Sequence, residues 1–180
     1  MSSVKADLRA TAYHEAAHAV AFFVLGMSPT RATIVPTDET AGSASHAAFS
    51  LGHLDVDEIT PTRRDRIERK IIAALAGAVA EERLAGCDCS ATARQDHASA
   101  ADLALRVCGG QRETNAYLAW LYIRTEMLIE RRWPAIEALA AILLERRTLH
   151  KRELPTTIQR ILDPAGIAAS FRAATPAPRD

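Results

Sequence analysis

Apolar residues recur along most of the chain at the spacing of one helical face, and small or polar runs interrupt them. The first such segment runs from about Leu8 to Leu25 and stops at Gly26, a natural helix end. A short stretch follows, "RATIVP" from Arg31 to Pro36. Its Thr33-Ile34-Val35 centre and stopping proline predict a strand. The polar, small-residue run "TDETAGSASHAAFS" predicts either a turn between two edge strands or a loop. Thr60-Pro61 opens a second helix, in which Ile67, Ile71, Leu75 and Val79 recur at helical spacing until Gly86.

Further helices are predicted over about Thr92–Val107 and Thr114–Glu130, the latter carrying Leu118, Leu121 and Leu128. Pro134 begins or kinks another that reaches Arg147, and a short one lies near Leu154–Leu162. The fold class is therefore mainly α, with a small β-sheet or hairpin after the first helix. With 180 residues, no repeat and no linker, residues 1–171 are expected to form one domain, and 172–180 a disordered tail.

Composition narrows the partners. The 22 basic residues balance the 22 acidic ones, so nothing favours binding a phosphate backbone, and no nucleic acid partner is expected. The mixed-sign "RRDRIERK" reads as a solvated helix face. No stretch approaches the roughly 20 apolar residues that span a bilayer, and no secretory signal is visible. A cytoplasmic protein without direct membrane insertion is expected. The 3 cysteines are an odd count, and Cys87 and Cys89 lack a second pair at zinc spacing, so reduced thiols are expected.

One motif changes the picture. "TAYHEAAHAVAFF" places His14 and His18 four residues apart, on one face of the first helix. Both imidazoles can reach one ion. Glu15, about 100° round the helix, can reach a water beside it instead. Two histidines and a glutamate in this order suit a zinc hydrolase, with Glu15 as the general base. Small and apolar neighbours such as Ala12, Ala16, Ala17, Ala19, Val20 and Phe22 would partly bury the groups, which is costly without a partner ion. A catalytic zinc usually takes a third protein ligand. By residue type His46, His53, Glu81, Glu82, Asp88, Asp96, His97 and Asp102 all qualify, and spacing does not choose among them. A third histidine ten residues after His14 is absent, since Val24 stands there, so this is not a metzincin pattern.

"AYHEAAHAV" resembles the zinc motif of the FtsH family of ATP-dependent membrane proteases, and more of the chain is similar in the same order. "ATIVPTDETAG" is similar to the family's strand after the motif helix, and "IIAALAGAVAEERLAG" to its helix with a Gly-x-x-Ala-Glu-Glu core. "ATARQDHASAADLALRV" resembles the segment bearing a third, aspartate ligand, and "AAILLERRTLHKREL" the closing helices. The resemblance covers roughly residues 8–155. It implies one Zn²⁺ per chain held by His14, His18 and Asp96, with Glu15 as base. Without the resemblance, Asp96 would read as a carboxylate favoured at a helix N-terminus. Glu81 and Glu82 match a family pair by position, and two readings stand for them: orienting a histidine from behind, or a helix salt bridge with Arg83 or a nearby lysine.

The chain departs from the family at Ala17, where glycine is usual, and over Ala91-Thr92-Ala93 and Gln95, which replace Thr-Gly-Ala and Asn. It also has no G-x-x-x-x-G-K-[ST] loop. A stand-alone zinc endopeptidase is expected, acting without ATP on short or unfolded polypeptides. An extended substrate would pair with the edge of the strand at Thr33, Ile34 and Val35. The alternatives are a zinc-binding module that cleaves little, or a subunit that docks on a separate ATPase or self-associates.

Overall fold

The computed structural model describes residues 2–36, 42–46, 59–86 and 90–163, with side chains from Leu8 onward. Five helices and one three-stranded sheet make up the described residues: α1 (Ser2–Val24), β1 (Pro29–Thr33), β2 (Ser43–His46), α2 (Pro61–Ala85), α3 (Ala91–Leu105), α4 (Gln111–Arg146), β3 (Thr148–His150) and α5 (Leu154–Leu162). The chain is mainly α, as its periodicity predicts. None of the described helices is long and apolar enough to cross a membrane.

α1 and α2 form the centre, and small residues explain how closely they pack. Ala12, Ala16, Ala17 and Ala19 on α1 are fully buried, as are Ala73, Ala76 and Ala80 on α2. Side chains this short let two helix backbones approach, at little cost in side-chain entropy. Bulk comes from other partners: Ile136, Leu139 and Leu143 of α4, with Leu149, Leu154 and Ile158 behind them. A second cluster joins Ile67, Ile71 and Leu75 of α2 to Leu121 of α4 and Ala100 and Ala104 of α3. Burying each such isoleucine or leucine contributes about 1.5–3 kcal/mol.

Local signals set the ends of α2. Thr60 caps its first turn, accepting from the Arg63 N–H at 3.3 Å. Gly86 ends it at φ 75°, a left-handed conformation that only glycine adopts without strain.

Two expectations need correction. The fourth and fifth predicted helices are one: α4 runs through Pro134 without a break. Proline removes one helical N–H bond, but Ala135, Ile136, Leu139 and Ala140 immediately after it are buried, and that packing holds the helix together. The predicted strand is also displaced, since β1 covers Pro29–Thr33 rather than reaching Val35.

The displacement has a consequence for substrate. The sheet order is β2-β1-β3, so β1 is central. Thr33 is opposite Ser43 on one side and Thr148 on the other. Ile34, just past the strand, donates its N–H to the Arg147 carbonyl at 2.9 Å. Thr33 and Ile34 are buried and only Val35 is exposed. The rail expected at Thr33, Ile34 and Val35 therefore has no open edge to offer along β1. Among the described residues, β2 lies at an edge of the sheet instead.

Candidate metal centre

His14 and His18 sit on the buried face of α1, and α2 runs antiparallel against that face. Three positions of α2, each four residues apart, meet them. The Ala73 carbonyl accepts the His18 Nδ1–H at 2.8 Å. Glu81 Oε1 lies 2.7 Å from His14 Nδ1, ion-pair close though off the line of a well-aligned hydrogen bond. Between them is Gly77, whose absent side chain makes the room: a Cβ there would lie 2.5 Å from Nε2 of both histidines. Each imidazole thus has an oxygen close to its Nδ1, and Nε2 of both faces a common point.

α3 brings the third group. Ser90 caps this helix, accepting from the Ala93 N–H at 2.9 Å. Asp96 follows in the second turn, not the first, so the helix N-terminus does not account for it. Its Oδ2 lies 3.1 Å from His14 Nε2 and 3.2 Å from His18 Nε2, and the two Nε2 atoms are 3.0 Å apart. Three donor atoms make a nearly equilateral triangle on three different helical positions.

This donor set fits a zinc ion. Ligand atoms about 2.0–2.1 Å from a tetrahedral zinc are spaced roughly 3.3 Å from one another, close to the triangle's sides. Three inward-facing lone pairs repel unless a cation or a proton lies among them. His14, His18 and Asp96 also form the one cluster among the described residues with ligand atoms near enough to share an ion.

Glu15 is beside the triangle, buried, and its Oε2 has no hydrogen-bond partner. Gly42 packs so closely that a Cβ there would come within 3.0 Å of Glu15 Oε1 and 2.8 Å of the Thr33 carbonyl. A cavity of about 340 Å³ opens over these groups, with Phe22, Ala74 and Leu103 as apolar walls and Ser43, Ala44 and His46 of β2 along one side.

The electrostatics follow from the same geometry. Burial works against a charged His14, but Asp96, Glu81 and Glu15 together outweigh it and raise its pKa to about 10. Burial likewise opposes ionised Asp96, yet the two histidines hold its carboxyl down at about 2. For Glu15 burial prevails over the attraction of His18 and His14, and its pKa is raised. A metal-free site therefore holds a proton where the ion would be.

The other candidates are elsewhere. Glu82 is exposed and accepts from the Tyr122 hydroxyl, whereas Glu81 is the one that lies against His14. His97 stacks on Tyr122 and Asp102 pairs with Arg106 at 2.8 Å. His46 lines the cavity and packs on Phe22, but it is not part of the cluster. His53, Asp88, Cys87 and Cys89 lie outside the described residues, as does the tail. Sequence reasoning gave Gly77 no role beyond its place in the Gly-x-x-Ala-Glu-Glu core, and missed Ser90. A signal for Gly77 was available, because it stands four residues before Glu81, matching the four-residue step from His14 to His18.

A helix-borne pair of histidines, a carboxylate from a second helix and a buried glutamate at a cavity make up the equipment of a metal-dependent hydrolase. The chain belongs to peptidase family M41, the family of FtsH peptidase domains, whose model matches residues 2–108. Membership gives it a metallopeptidase-type function. The match contains α1, α2, α3 and every residue of the cluster, while α4 onward lies beyond it. No curated protein sequence matches the chain.

Proposed function

We propose that the protein is a zinc-dependent endopeptidase acting on unfolded or short polypeptides, with His14, His18 and Asp96 as ligands of one Zn²⁺ and Glu15 as general base. The observation that carries this is the buried Glu15 carboxylate, its Oε2 without a hydrogen-bond partner, beside a triangle of three converging donor atoms. A zinc ion at that triangle supplies a Lewis acid that acidifies water and polarises a carbonyl. Glu15 takes the proton from the attacking water and delivers it to the leaving amine.

β2 replaces β1 as the substrate rail. Among the described residues it is an edge strand, it lines the cavity, and an extended peptide can pair with its outer backbone. Zinc-assisted hydrolysis at such a site consumes no ATP.

The test is hydrolysis of a fluorescent casein by the zinc-loaded protein and by Glu15→Gln. The variant should lose at least about 100-fold in rate while still binding zinc, since a positioned base contributes roughly 10²–10⁴. Equal rates would overturn the role of Glu15. A zinc-loaded wild type that cuts no unfolded substrate would favour a zinc-binding module.

A further inference from the structure

Ser90 touches two structures at once. Its Oγ accepts the Ala93 N–H at 2.9 Å, capping α3, the helix that carries Asp96. The same hydroxyl donates to Glu81 Oε1 at 3.0 Å. That oxygen is the one 2.7 Å from His14 Nδ1. Capping uses only a lone pair of the serine, which leaves its proton free to go to Glu81. A carboxylate on a flexible stem has several rotamers, and a fixed donor at Oε1 selects the one that faces His14. Glu81 is nine-tenths buried, so no solvent network substitutes for that donor.

We infer that Ser90 is a positioning residue that ties the two halves of the metal centre together: through its lone pair it fixes the helix bearing Asp96, and through its proton it fixes the carboxylate that orients His14. This rests on the zinc reading above. One hydroxyl then couples ligands 82 positions apart in sequence, by way of Glu81 on α2. It also gives the first position of "SATARQD" a role despite the altered residues that follow it.

The two roles separate by substitution. Asp caps a helix as well as Ser, but it has no proton for Glu81 and sets a second carboxylate against it. Gly caps nearly as well and donates nothing, Ala does neither, and Thr does both. Zinc affinity is read by competition with a chromogenic chelator, and stability by thermal unfolding of the metal-free proteins.

Ser90→Thr should bind zinc within about threefold of wild type. Ser90→Gly and Ser90→Ala should bind roughly tenfold more weakly, the lower end of what loss of an orienting partner costs. Ser90→Asp should lose at least as much affinity, although α3 keeps its cap. Ser90→Ala should lower the metal-free Tm by roughly 2–4 °C. Adding Ser90→Gly, which keeps the cap, to Glu81→Gln should cost little more affinity, because both break one chain.

Wild-type affinity in Ser90→Asp and Ser90→Gly, or affinities that simply follow Tm, would overturn the inference and leave Ser90 a helix cap. If Glu81→Gln weakens zinc binding and no Ser90 variant does, this inference falls alone. If the wild type takes up no zinc, the proposed function falls with it.

Discussion

Gly77 and His14 are in contact across the α1–α2 interface at a distance that leaves no room for a side chain. A Cβ on Gly77 would lie 2.5 Å from His14 Cε1 and Nε2. Gly77 sits inside a regular helix, where alanine is normally better by about 1 kcal/mol. Overlap with ring atoms of both histidines should outweigh that gain, since overpacking a core costs about 1–3 kcal/mol. Gly77→Ala should therefore lower the Tm and lose zinc, while circular dichroism stays helical. A Gly77→Ala protein that keeps its zinc would mean that the two imidazoles have more freedom than their positions imply.

The adjacent carboxylates Glu81 and Glu82 should behave differently. Glu81 is buried against His14, and Glu82 faces Tyr122 at the surface. Replacing Glu81 with Gln should weaken zinc binding about 10–100-fold, as losses of such orienting partners do. Replacing Glu82 with Gln should leave zinc affinity unchanged and cost no more than about 1 kcal/mol of stability. Chelator competition on the two variants checks the contrast, and equal effects would contradict it.

The metal-free protein should lose stability as pH rises. His14 is raised from 6.5 to about 10, so its contribution is full below pH 6.5 and is lost as pH rises through about 10. Glu15, raised from 4.5, adds to the same decline from about pH 4.5 upward. Asp96 works at the other end: lowered from 3.8 to about 2, it contributes above 3.8 and is lost as pH falls through 2. Thermal unfolding between pH 4 and 10 should show a falling Tm without metal. With zinc bound, the lone pair of His14 is taken and the alkaline decline should be smaller. Parallel curves with and without zinc would contradict this.

Much of this was legible in the residues, and the failures have physical causes. Ile67, Ile71, Leu75 and Val79 with Thr60 and Gly86 marked α2 at both ends, because caps and periodicity agreed. Pro134 misled because a local rule was overridden by the buried residues after it. β3 has three residues, too few for any period to register, and without it β1 looked like an edge. His14, Glu15 and His18 lie within one turn and a half of helix, so spacing alone brought them together. Asp96 is 78 residues beyond His18, and only the fold or a family resemblance could single it out from the other candidates. The choice between Glu81 and Glu82 turned on helical phase, which Gly77 sets by facing the histidines.

The most direct test of the account is the zinc content of purified protein, measured by mass spectrometry for wild type and for His14→Ala, His18→Ala and Asp96→Ala. One zinc per chain in wild type, and loss of it in each of the three folded variants, is the predicted result. Full zinc in the Asp96→Ala protein, or none in the wild type after loading, would contradict it.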